Sequence, residues 1–181
     1  MTSVVNNILS ILVILVQLSM AVVLVAWAVS LVSKKENLII SYVLAWGLPL
    51  AFLTALISTG GSLIYSEVIG YEPCKLCWFQ RILMYPQVIT LGLALWHKNR
   101  AVIDQSIVLS LIGGVIAAYH YLSQIAVIEV APCSAIGYAV NCTKIFTMNY
   151  GYITIPMMAL TGFGYILLLM VVLKFNKIFK G

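Results

Sequence analysis

Five apolar runs, each long enough to cross a bilayer, leave this chain little else to fold. They cover roughly 7–32, 38–64, 77–96, 106–128 and 152–175. A spanning helix needs about 20 predominantly apolar residues, and inside hydrocarbon it must satisfy its backbone polar groups within its own segment. Of 181 residues, 63% are hydrophobic and 8% charged, too little polarity to cover a soluble domain of this size. The expected fold is all-α, a polytopic membrane protein with residues 1–181 in a single integral membrane domain. The first run lacks a basic leader and exceeds the usual signal-peptide core, so it is expected to be a retained helix. Pro49 is expected to kink the second run. The Gly60-Gly61 and Gly113-Gly114 pairs permit close helix approach or bending.

The net charge of +5 does not indicate nucleic acid, because the basic residues are divided among short loops and the tail. Lys34 and Lys35 follow the first run, Lys98 and Arg100 the third, and Lys174, Lys177 and Lys180 the fifth. Five spans bring these clusters to one side, which the positive-inside rule makes cytoplasmic. The opposite side receives Glu67, Glu72 and Glu129 and all four cysteines, in loops at about 65–76 and 129–151. The N-terminus is then outside and the C-terminus inside. The expected location is a bacterial cytoplasmic membrane, whose outer side permits disulfides.

The chemistry concentrates in Glu72-Pro73-Cys74-Lys75-Leu76-Cys77-Trp78-Phe79-Gln80-Arg81. Pro73 suits a first helical turn, since its missing N–H would be unpaired there. Cys74 and Cys77 are then expected within that turn, where free N–H groups and the macrodipole favour a thiolate. Cys74, Cys77 and Arg81 are spaced three and four apart and share a helix face. Arg81 lies about one turn, roughly 6 Å, beyond Cys77. Its charge would stabilise a thiolate or bind the polar head of a ligand. The competing reading is an arginine that snorkels to the outer headgroups.

His120, in the fourth run, is expected about eight residues, roughly 12 Å, from the outer end of its helix, lining one outer-leaflet pocket with Arg81. Gln124 shares its face. A lone membrane histidine is as often a packing or hydrogen-bonding residue. The loop from Glu129 to Gly151 carries Cys133 and Cys142 among Pro, Gly, Ser and Asn, an irregular setting that suits a cysteine meeting a soluble protein. Ile145 to Tyr150 mixes apolar and polar residues and is expected on the membrane surface. Four cysteines allow three pairings. Two inert structural disulfides, or a four-cysteine metal site, are the plain alternatives to redox work.

These residues resemble the disulfide bond formation protein B family, that is DsbB and its Gram-positive BdbC-like relatives. The resemblance spans roughly residues 41–175. It rests on Cys74-Lys75-Leu76-Cys77 followed by Trp78-Phe79-Gln80-Arg81, on a second cysteine pair before the last helix, and on the order of four helices. It implies a four-helix bundle that reoxidises a soluble DsbA-like thioredoxin-fold oxidase and passes the electrons to a membrane quinone, ubiquinone or menaquinone. By resemblance, Cys133 forms the mixed disulfide with that partner and Cys142 resolves it. Cys74 and Cys77 are the quinone-proximal pair, with Cys77 the thiolate that meets the ring. Arg81 supports quinone binding, and His120 is similar in position to a histidine near the quinone. Two departures stand out. This chain has an additional N-terminal helix, and only eight residues separate Cys133 from Cys142. A vitamin K epoxide reductase-like protein shares the same ingredients, but generally with the loop cysteines ahead of the CxxC.

Overall fold

The computed structural model describes residues 2–35, 37–97, 102–125 and 141–179, with side chains to residue 175. Five helices follow the five apolar runs: α1 (Thr2–Ser33), α2 (Leu38–Leu63), α3 (Lys75–His97), α4 (Val102–Gln124) and α5 (Ile155–Phe179). A π-helical turn, Ile64–Val68, extends α2. Among the described residues the only β pairing is an isolated bridge between Asn149 and Ile153. The protein is thus an all-helical, multi-pass membrane bundle. Four of the helices meet the length and hydropathy of a span. The exception, α3, has 23 residues, but Gln80, Arg81 and Gln87 make it the more polar helix.

Local chemistry sets the helix ends. Asn37 caps α2, its side chain accepting from the Ile40 N–H at 2.9 Å. Its amide donates to the Ala26 carbonyl at 2.8 Å, which ties the start of α2 to α1. α2 runs unbroken through Pro49. α4 opens four residues earlier than hydropathy indicates, because Asp104 suits a helix N-terminus and pairs with Lys174 at 2.8 Å. Both side chains are well exposed, so the pair adds little stability. α5 opens at Ile155, three residues later than expected, because the chain before it is spent in a tight turn. There Tyr150 and Gly151 both have positive φ, and the Tyr152 N–H returns to the Asn149 carbonyl at 3.3 Å. Residues 145–150 are irregular chain with Ile145, Met148 and Tyr150 exposed.

α5 is the central helix. Phe163, Ile166, Leu169, Met170 and Val172 are fully buried on it, and α1, α2 and α4 pack around it. Of the expected glycine approaches, Gly113 is the tightest. A Cβ there would collide with the Phe163 ring, so α4 lies against α5 only because residue 113 has none. Gly60 faces open space instead.

α1 is held by polar side chains in an otherwise apolar helix. Asn6, Ser10 and Gln17, at spacings of four and seven, share one face. The Tyr65 hydroxyl donates to Asn6 Oδ1 at 2.9 Å, and Asn149 Nδ2 to Ser10 Oγ at 2.9 Å. Gln17 donates to Thr161 Oγ1 at 3.0 Å and accepts from the Tyr152 hydroxyl at 2.9 Å. Such bonds contribute about 0.6 kcal/mol each in a membrane. The opposite face of α1, with Ile8, Ile11, Leu15, Leu18 and Val22, is exposed and suited to lipid.

These contacts define the two ends of the bundle. At one, the start of α1 and the π turn meet the loop before α5, and Tyr65, Tyr71 and Phe146 stack with centroids 5.9 and 4.8 Å apart. At the other, Asp104 meets Lys174 and Trp27 meets Phe175.

Candidate active site

The CxxC lies at the first of these ends. α3 begins at Lys75, so Cys74 holds the cap position just ahead of the helix rather than its first turn, with Pro73 before it. The Cys74 carbonyl accepts from the Trp78 N–H at 3.1 Å, closing the first turn. Cys77 follows inside that turn. The two thiols are free, with sulfurs 3.2 Å apart. Cys74 is buried and Cys77 half-buried. The Cys74 thiol is lowered from the ordinary range to about 4, chiefly by its hydrogen bond with the Cys77 thiol. Burial opposes this; the His120 ring and the Cys77 N–H reinforce it. The expected thiolate at the helix start therefore has its clearest support at Cys74, the cap residue.

His120 faces Cys74, in a different compartment from Arg81. It is 2% exposed and four residues from the described end of α4, closer to that end than expected. Gln80 Nε2 lies 3.1 Å from Nδ1. With that amide donating, the ring hydrogen sits on Nε2, which is 3.1 Å from the Cys142 carbonyl oxygen and 3.6 Å from Cys74 Sγ. His120 thus bridges the CxxC to the backbone of the loop cysteine. Cys142 is buried and disulfide-bonded. Cys133 lies outside the described residues. Gln124 also belongs to this cleft and donates to the Lys144 carbonyl at 3.1 Å, holding the loop down. The cleft, about 20 Å3, admits nothing larger than a water. Cys74 Sγ, Cys77 Sγ and a His120 nitrogen lie within 4.8 Å of one another, a spacing a metal ion would accept, but both ring nitrogens are already engaged.

Arg81 opens onto a second, larger cavity. Its Nε donates to Ser62 Oγ at 2.9 Å and a terminal nitrogen to the Ser62 carbonyl at 3.0 Å. The guanidinium also lies 5.4 Å from the centre of the Trp78 ring. Among the described residues the one ion pair is Lys174–Asp104, and Arg81 is held by neutral groups. An arginine at mid-bilayer costs about 2.5–3.5 kcal/mol, a cost that falls near the end of a helix, where Arg81 sits. The cavity beside it measures about 190 Å3 and is bounded by α1, α2, α3 and α5. Cys77, Gln80, Arg81 and Tyr85 form its α3 wall, and Tyr65, Tyr71 and Phe146 lie above. Cys77, Phe146 and Ile155 line both this cavity and the His120 cleft.

Residues 44–173 match the family described as "Disulfide bond formation protein DsbB". The chain belongs to the DsbB family. It is 43% identical over 122 residues to "Probable disulfide formation protein C 1" of Bacillus anthracis, covering 66% of this chain and 81% of that one. With "Disulfide bond formation protein C" of Bacillus subtilis it shares 38% over 129 residues, 70% of this chain and 91% of the relative. With "Probable disulfide formation protein" of Oceanobacillus iheyensis it shares 38% over 133 residues, 74% and 86% of the two chains. No solved structure matches the chain. DsbB membership makes the protein a membrane disulfide oxidoreductase and decides against the vitamin K epoxide reductase-like alternative. α1 lies ahead of the matched residues.

Two positions went unassigned in the sequence. Gln80 orients His120, and Ser62 anchors Arg81. An amide in mid-run beside Arg81 was the available signal for Gln80. Ser62, nineteen residues away from its partner, offers none.

Proposed function

We propose that this DsbB-family protein reoxidises an extracytoplasmic, DsbA-like thioredoxin-fold oxidase at a bacterial cytoplasmic membrane and delivers the electrons to a membrane quinone. The observation that carries this is the position of Cys77, which lines both the cleft facing the loop cysteine and the apolar cavity facing Arg81. The reduced partner attacks the Cys133–Cys142 disulfide and leaves with its own disulfide formed. The loop dithiol then attacks Cys74–Cys77, restoring the loop disulfide and leaving two thiols on α3. Free Cys74 and Cys77 beside a disulfide-bonded Cys142 correspond to that stage. Closing Cys74–Cys77 again releases two electrons and two protons. A bound quinone supplies the acceptor for both.

The chain's own residues account for the rest. The contacts that lower Cys74 stabilise the dithiol form, which makes the CxxC disulfide a stronger oxidant toward the loop pair. His120 Nε2 stands between Cys74 and the Cys142 carbonyl, where it steadies the exchanging sulfur. The cavity suits a quinone ring: it is largely apolar, about 190 Å3, and places the Arg81 guanidinium near Cys77, where a ring carbonyl would accept. The basic ends of α1, α3 and α5 support a cytoplasmic side opposite the cysteines.

The test is anaerobic quinone reduction by purified protein with a reduced thioredoxin-fold oxidase as donor. Loss of turnover in both Cys77→Ser and Cys133→Ser is the expected result. Turnover that survives either substitution would contradict the relay, as would inertness of all four cysteines to reductant.

A further inference from the structure

The quinone reading leaves α1 unexplained, since the helix lies wholly outside the residues that match the family. Yet α1 is a wall of the cavity. Leu9, Leu12, Val13 and Val16, spaced three, four and seven apart, form a half-buried stripe that faces it. The stripe beside it is the polar one, where Asn6, Ser10 and Gln17 bind Tyr65, Asn149, Tyr152 and Thr161. Tyr65 and Thr161 themselves line the cavity. The same hydrogen bonds that dock α1 therefore fix the position of its apolar stripe. α1 approaches α2 at Gly61, where an added Cβ would lie 3.5 Å from Leu9.

We propose that α1 supplies a binding subsite for the isoprenoid tail of the quinone, with Leu12, Val13 and Val16 as the residues that read it. The inference rests on the quinone reading above. Polarity within the cavity orients the occupant. Arg81, Gln80 and Cys77 lie on the α3 side and suit a ring bearing carbonyls, while the α1 side offers only alkyl groups. A ring seated at Cys77 directs its tail toward α1. Without α1 that tail would lie against lipid, so the helix makes a part of the ligand that is usually indifferent into one the protein can discriminate. Gln17 is a positioning residue here, acting through Thr161 and Tyr152.

The test compares ubiquinone and menaquinone, each with a long isoprenoid tail, against their tail-free ring analogues, using full-length protein in nanodiscs. For whichever ring type the wild type reduces, Leu12→Trp is expected to raise KM for the long-tailed form about fivefold or more. The tail-free analogue should keep its KM and kcat. Equal change for both forms, or no change for either, would overturn the subsite while leaving the quinone reading intact. A wild type that reduces neither ring type would remove the quinone reading itself, and the subsite with it. Should Leu12→Trp fail to fold, a photoreactive group on the quinone tail gives a second measurement on wild-type protein. Label in the tryptic peptide that ends at Lys34 supports the subsite. Label confined to peptides from α2, α3 and α5 overturns it.

Discussion

Cys77 divides two compartments that differ in almost every physical respect. On the Cys74 side lies a cleft of about 20 Å3, framed by His120, Gln124 and the Cys142 backbone. On the Arg81 side lies a cavity of about 190 Å3 whose walls are largely aliphatic and aromatic. On the proposed reading the first serves sulfur–sulfur exchange, with a ring nitrogen 3.6 Å from one thiol and the Cys142 carbonyl beyond. On the same reading the second takes an apolar molecule with one polar end. A single helical turn serves both because Cys74 caps α3 and turns toward α4, while Cys77 lies within α3 and reaches α2 and α5. The lesson is that the second cysteine of a CxxC at a helix start can stand at the junction of two differently lined compartments.

The largest effect should come from removing the junction. Cys77→Ser is expected to reduce quinone turnover to background while Cys133 remains able to form a mixed disulfide with a reduced partner, trapped and read on non-reducing gels. Failure to trap that species would merge the two compartments into one.

Arg81→Ala should lower kcat/KM for quinone by roughly a hundredfold, the scale of losing a preorganised donor. Arg81→Lys should recover part of this, since a point charge lacks the paired geometry held by Ser62. Folded yield falling in step with activity would make Arg81 a mere tie between α3 and α2.

His120→Ala should act on the other compartment. Transfer from the loop dithiol to the CxxC is expected to slow, with single-turnover quinone reduction by the pre-reduced CxxC unchanged. It also leaves Gln80 without its partner, at a stability cost of about 1–3 kcal/mol. Slowed quinone reduction in that assay would place His120 with the quinone after all.

The pH dependence sharpens the same distinction. With the Cys74 thiol lowered to about 4, the reduced pair should keep its ultraviolet thiolate absorbance as pH falls from 9 until about 4. The stabilisation this thiolate gives is present above the unfolded thiol range and is lost as pH falls through the folded value. His120→Ala should move the loss of absorbance to higher pH. An unmoved profile would assign the depression to Cys77 alone. Gly113→Val, which lines neither compartment but collides with Phe163 in the wall of the larger cavity, should cost about 1–3 kcal/mol while the Cys74 thiolate profile stays unchanged. Denaturation in detergent would measure it.

Much of this was legible in the residues. The helices followed from run length and hydropathy, and Cys77 with Arg81 from a spacing of four on one helix. Boundaries slipped where a side chain found a distant partner. Asp104 reads as lying ahead of an apolar run, yet it stands in the first turn of α4 and meets Lys174 across the bundle. The expected pocket joining Arg81 to His120 failed for a related reason. Depth along two helices is readable from sequence, but the rotation of α4 about its own axis is set by packing such as Phe163 of α5 on Gly113. The docking of α1 was least legible, because Gln17 and Thr161 stand 144 residues apart.

The most direct measurement of the division at Cys77 is single-turnover quinone reduction by fully reduced protein lacking both loop cysteines. If the CxxC alone serves the quinone side, one quinol should form per chain as the Cys74–Cys77 disulfide closes, with both products followed by absorbance and mass spectrometry. Quinol formation that persists after a further Cys77→Ser, or no quinol from a protein whose wild-type parent turns over, would contradict it.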